Sequence, residues 1–253
     1  MFYKGGRAGL RAFRVDNLRR AVAFESPSPT FNGPPSAHDM VSPTLSTSPF
    51  ERYVSPGPSS DEPWDEVLFE TESFVVVPTA GSIVEGWLLV VPKVDALAFA
   101  DVVGRRGSEA EEVLSVVRKA VKAVYGSSVV FEHGPSRPGT QAGCTVDHAH
   151  LHVLPSVADL EAGACELMPS MTWEPMSGVR DLEFLESRSR SYLYLDEGNP
   201  MVALPPHIPS QLFRRVIARA VGRGERYDWR THPDRENAEA TVRRLGPVLR
   251  RRS

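Results

Sequence analysis

The stretch Asp147-His148-Ala149-His150-Leu151-His152-Val153-Leu154-Pro155 decides the fold and holds three of the chain's seven histidines. Polar and apolar residues alternate along it, which predicts a β-strand. The strand period of two puts the three imidazoles on one face and Ala149, Leu151 and Val153 on the other. Imidazole titrates closest to neutral pH, so three side by side offer a nucleophile, a proton donor and an anion-binding group. A purely structural role fits poorly, because such a row is costly to bury without partners. A metal site is the rival reading. At about 3.3 Å rise per residue the outer Cα atoms lie roughly 13 Å apart, too far to share one ion comfortably. An adjacent pair with a ligand from elsewhere stays a minor alternative, and no metal or other cofactor is expected.

The surroundings add further patterns. Upstream stand Phe131-Glu132-His133-Gly134 and Gly143-Cys144-Thr145-Val146. Earlier come Phe74-Val75-Val76-Val77-Pro78 and Gly86-Trp87-Leu88-Leu89-Val90-Val91-Pro92-Lys93, which read as paired strands. Ser108 to Val124 predicts a helix: Ser108 and Glu111 form a capping box, acids fill its first turn, Arg118, Lys119 and Lys122 its last, and Gly126 follows. Val113, Val116, Val117, Ala120, Val121 and Val124 make its buried stripe.

From His148 to Leu154 the chain resembles the His-φ-His-φ-His-φ-φ signature of the histidine triad (HIT) superfamily of nucleotide hydrolases and transferases. The resemblance covers roughly residues 64 to 160. It implies an α+β fold, a HIT-like antiparallel sheet with packed helices, here meandering, plus a C-terminal α/β extension; composition adds a disordered N-terminal arm. It implies that His150 attacks the α-phosphorus to form a nucleotidyl-histidine, which water or another acceptor resolves, splitting one displacement into two. His148 and His152 would flank it as catalytic partners, and Thr145 with backbone N–H groups near Gly143 would hold the nonbridging oxygens. Histidine rather than glutamine at 152 points to hydrolysis of a phosphoramidate or phosphoanhydride. The alternatives are a nucleotidyltransferase or phosphorylase, and a non-catalytic nucleotide- or RNA-binding protein.

Two positions depart from the family. After Pro92-Lys93 the common fourth histidine is replaced by Asp95, and His133 is a candidate to compensate. Where a common branch has an acidic residue for the ribose hydroxyls, this chain has Thr79. The substrate-binding candidates are therefore Thr145, Gly143, His133, Thr79, Asp95, Lys93, Arg214 and Arg230, with Arg215 considered beside them. The expected partner is a nucleotide or nucleotide conjugate. A homodimer is open beside a monomer whose extension covers the dimer surface, and nucleic acid is not favoured.

The 253 residues allow one sizeable domain or two small ones. Residues 1–62 are expected to be a largely disordered arm, 63–165 the HIT-like catalytic domain, and 166–253 an extension packed on it. The arm is rich in proline, serine and threonine. Its Arg-rich, acid-poor start has the look of a transit peptide, but a flexible basic arm, or sequence before a true start near Met40, is preferred. No stretch approaches the ~18 apolar residues of a membrane span. Two cysteines, Cys144 and Cys165, are too few for a disulfide framework and suit a reducing cytoplasm.

Past Pro155 the pattern predicts a short helix over 181–186, a hairpin from Ser191–Leu195 and Met201–Leu204, a helix from Pro209-Ser210-Gln211 to Gly222, and a last helix over 234–245. This ending resembles the extension of longer HIT-like proteins, including the CwfJ-like ones. Residues 208–253 hold twelve Arg against five acids, about +7, while the remainder sums to about −10, giving the net −3.

Overall fold

The computed structural model describes residues 49–54, 61–140, 142, 146–186 and 189–252. Most of the expected arm, with Gly143, Cys144 and Thr145, lies outside the described residues. Within the arm, Glu51–Val54 forms a single helical turn, α1, and Phe50 before it is buried.

The valine-rich runs become strands as read. Phe74–Pro78 (β2) pairs antiparallel with Leu88–Pro92 (β3), Val76 opposite Val90, and every residue of both strands is buried. Phe69–Glu70 (β1) edges β2. After the long helix Ala100–Tyr125 (α2) come Val129–Gly134 (β4) and Leu151–Leu154 (β5). The sheet is not a simple meander. Crossing by way of α2 sets β4 one strand away from β3, and β5 fills the gap, pairing with both.

The chain then adds Glu174–Pro175 (β6), Tyr192–Asp196 (β7) and Pro200–Ala203 (β8) to the open side of β4. The result is one antiparallel sheet of eight strands in the order β1-β2-β3-β5-β4-β7-β8-β6. The expected hairpin is β7 and β8, and the short helix is a 3₁₀ segment at Val179–Leu185. Both edges are two-residue strands, one ending on Pro175, which limits edge pairing with other chains.

One face of the sheet packs on α2 in the main core. Phe74, Val76, Leu88, Val90, Ala149, Leu151 and Val153 meet Val113, Val117 and Val121 there. The helix starts at Ala100, earlier than Ser108, and Arg106 breaks its dihedrals (φ −124°, ψ 16°) just before the predicted capping box. Tertiary contacts fix the true start. Glu132, 1 % exposed on β4, accepts the Phe99 N–H at 2.7 Å. The Tyr192 hydroxyl donates to Glu132 at 2.5 Å and accepts the Ala100 N–H at 3.1 Å. Strand side chains thus satisfy the orphan donors of the first turn, a role that sequence reading gives to a local cap. The far end follows the sequence, Gly126 taking φ 87° as the glycine stop.

The other face has two apolar clusters. Leu160–Leu167 (α3), a helix not anticipated from sequence, and Leu212–Ala220 (α4) pack with Trp87, Phe131, Leu154, Leu193 and Leu195. Phe50, Val75, Val77, Leu89, Val91 and Val146 make the second cluster, with Tyr53 and Trp229 against it. The last helix, Arg235–Leu249 (α5), runs four residues past its predicted end. Its Leu245 and Leu249 join the main core, and Thr241 Oγ1 accepts the Gly86 N–H at 2.8 Å. No helix among the described residues is long and apolar enough to cross a membrane.

Tyr192→Phe removes both hydrogen bonds of the hydroxyl at the start of α2, so it should lower unfolding stability by about 1–3 kcal/mol. Urea denaturation measures this. A loss below about 0.5 kcal/mol would mean that the helix start is held by other contacts.

Candidate active site

The strand β5 begins only at Leu151, so His152 is the one triad histidine inside it. His148 and His150 lie in the segment just before it, which Ala149 ties down by donating to the Ala96 carbonyl at 2.7 Å. The predicted alternation survives, since Ala149, Leu151 and Val153 enter the main core. The imidazoles of His150 and His152 lie 4.9 Å apart on the opposite side, and Phe50 contacts both His148 (5.7 Å) and His150 (5.3 Å).

The hydrogen bonds of these rings determine their tautomers. His150 Nδ1 lies 2.8 Å from the carbonyl oxygen of His148. A carbonyl only accepts, so Nδ1 carries the hydrogen and the neutral ring presents an unprotonated Nε2. His152 is set the other way. The Trp87 indole donates to its Nδ1 at 3.0 Å, and indole only donates, so Nε2 carries the hydrogen. Leu89 and Phe131 flank His152 in register, and the Phe131 ring stacks on it at 4.4 Å. His148 donates through Nε2 to the Pro92 carbonyl at 3.0 Å.

All three rings are held neutral. Burial pushes His150 down to about 4, with His148 and Arg214 adding to the effect and the carbonyl hydrogen bond opposing it. Burial also drives His152 well below the usual imidazole value, helped by His150, His133 and Arg214. His148 is lowered by burial, against the Pro92 hydrogen bond and the nearby Asp95. A neutral imidazole with an open Nε2 is the form needed for nucleophilic attack.

His150 and His152 open on a cleft of about 130 Å³, lined with them by His133, Thr79, Leu89 and Val146 from the sheet side. Phe50, Arg52, Tyr53, Trp64 and Asp65 line it from the segment before β1, and Arg214 and Trp229 from the C-terminal part. Among the described residues no cluster of His, Cys, Asp and Glu has metal-binding geometry.

The other candidates divide. His133, on the same face of β4 as Phe131, lines the cleft beside Phe213, with ring centroids 5.1 Å apart. Thr79 is buried at the cleft wall, its hydroxyl donating to the Ala80 carbonyl. Arg214 is 4 % exposed and sits 4.8 Å over the Trp87 ring. It donates to the carbonyls of Tyr227 (2.8 Å) and Gly81. Lys93 faces away, bound to Glu70 (3.0 Å) and the Thr71 carbonyl (2.7 Å). Asp95 is exposed behind His148, and Arg230 is exposed beside Asp228 and Trp229; neither lines the cleft. Arg215 lies 3.8 Å over Tyr227, also off the cleft.

Sequence reasoning missed the roles of Trp87, Phe50, Tyr53, Trp64, Asp65 and Trp229. Trp87 alone had a usable signal, standing one residue before β3, next to the triad strand. The others come from outside the sheet: Tyr53 from α1, Trp64 and Asp65 from a 3₁₀ turn at Pro63–Asp65, and Phe50 and Trp229 from turns.

Residues 61–158 match the family model described as the HIT domain. The family includes hydrolases, transferases and binding proteins, and its members bind nucleotides and often form dimers. No curated protein matches the chain.

The neutral histidines give the fold a pH dependence of definite sign. In the unfolded chain each imidazole takes up a proton near pH 6.5. The folded protein resists until about 4 at His150 and about 3 at His133. The unfolded state therefore binds more protons between pH 6.5 and 4, and stability falls as pH falls, by up to about 1.4 kcal/mol per pH unit for each histidine. Urea midpoints should drop across that range, and His150→Asn should flatten the drop. A pH-independent midpoint would contradict the neutral assignment.

Proposed function

We propose that the chain is a HIT-type nucleotide hydrolase acting through His150, which cleaves a phosphoramidate or phosphoanhydride bond at the α-phosphate. The observation that carries this reading is the hydrogen bond from His150 Nδ1 to the His148 carbonyl, which leaves Nε2 as a neutral nucleophile at the cleft. Nε2 attacks the α-phosphorus, a P–N bond forms, and the bond to the leaving group breaks with its electron pair. Water then attacks the nucleotidyl-histidine, releasing the monophosphate and returning His150 to its starting form.

His152 donates from Nε2 toward the phosphoryl oxygens, in the orientation that the Trp87 indole imposes. Arg214, behind the histidines, adds positive potential where negative charge develops. Gly143 and Thr145, the expected holders of the nonbridging oxygens, lie outside the described residues. Histidine at 152 favours water over another acceptor in the second step, by the family pattern. A transferase is the nearest alternative. A binding protein is a second reading, favoured by the Phe50 ring against both His148 and His150.

Steady-state hydrolysis of nucleotidyl phosphoramidates, dinucleoside polyphosphates and sugar nucleotides tests this. His150→Ala should lower kcat on the order of 10³-fold or more while nucleotide binding persists. EDTA should leave the rate unchanged. Turnover that survives His150→Ala, or that EDTA abolishes, would contradict the mechanism. Trp87→Phe, which frees the His152 tautomer, should cut kcat about tenfold with little change in KM.

A further inference from the structure

We propose that His133 is a phosphoryl-binding residue, its Nε2 reserved for an oxygen of the phosphoryl group that His150 attacks. This deepens the hydrolase reading and rests on it. The residue is 8 % exposed, lines the cleft, and its Nε2 has no hydrogen-bond partner among the described residues. Leaving such an atom buried and unpaired costs about 1–3 kcal/mol, and native proteins rarely tolerate it without a use.

The neighbouring rings explain why the described residues offer no partner. The ring is walled by Phe131 at 5.8 Å and Phe213 at 5.1 Å, neither of which can hydrogen-bond through its side chain. Phe131 pairs with His152 across the β4–β5 ladder. Continuing that register two residues along β4, and two back into the segment before β5, sets His133 level with His150. The electrostatic effect of His150 on His133 agrees with this proximity, as do those of His133 on His152 and of Arg214 on all three rings. A phosphoryl group bonded to His150 Nε2 would lie between these imidazoles, where a nitrogen donor meets an anionic oxygen.

Asp95 cannot do this work. It is exposed, carries negative charge, and lies off the cleft. His133 thus supplies an additional imidazole from β4, on the opposite side of the triad strand from β3 and the Pro92-Lys93 segment that leads to Asp95.

The test is calorimetric binding of the 5′-nucleoside monophosphates and the matching nucleosides to wild type, His133→Phe and His133→Asn. Phenylalanine keeps the ring volume without a polar atom; asparagine keeps a donor. His133→Phe should weaken monophosphate binding about tenfold or more, equivalent to about 1.4 kcal/mol. Nucleoside binding should stay within about twofold, and His133→Asn should restore part of the loss. The melting temperature of His133→Phe should equal or exceed wild type, because an unpaired polar atom is gone.

Unchanged monophosphate affinity in His133→Phe, or an equal loss for monophosphate and nucleoside, would overturn the assignment and leave the hydrolase reading standing. Wild-type protein that binds no monophosphate would instead overturn the hydrolase reading, and this inference with it.

Discussion

Everything at the site depends on how the strand bearing His152 is held between its two neighbours. β5 pairs with β3 on one side and β4 on the other, so His152 sits level with Leu89 and Phe131 and has no edge on which to shift. A slip of one residue would exchange the imidazole face with Ala149, Leu151 and Val153, which are buried in the main core. Register and chemistry are therefore the same constraint. The apolar side chains that anchor the strand against α2 also aim the histidines at the cleft.

On that frame, two hydrogen bonds from outside the β-ladder assign complementary roles to adjacent rings. The His148 carbonyl claims the hydrogen of His150, and the Trp87 indole claims the lone pair of His152. One ring is left with an open lone pair at Nε2 and the other with an N–H. Burial keeps both neutral.

Much of this was readable in the chain because it is local. The alternation around His150, the valine runs of β2 and β3, and the Tyr-Leu-Tyr hairpin all follow period-two patterns that need no tertiary information. The start of α2 was not readable. Ser108 and Glu111 form a valid local cap, yet Glu132 and Tyr192, distant in sequence, extend the helix back to Ala100. The site divides in the same way. His133, His150, His152, Thr79 and Arg214 were named and do line the cleft. Lys93 and Asp95, candidates through the family resemblance, and Arg230, a candidate on charge, do not line the cleft. Phe50 and Trp229 come to the cleft from either end of the chain, and no periodicity encodes that meeting.

The most direct test of the account is intact-protein mass after brief mixing with the nucleotide panel, quenched in base because a phosphoramidate is labile in acid. The account predicts that wild type gains the mass of a nucleotidyl group, that peptide mapping places it on His150, and that His150→Ala gains nothing. Turnover with no adduct under rapid quenching, or an adduct on another residue, would contradict it.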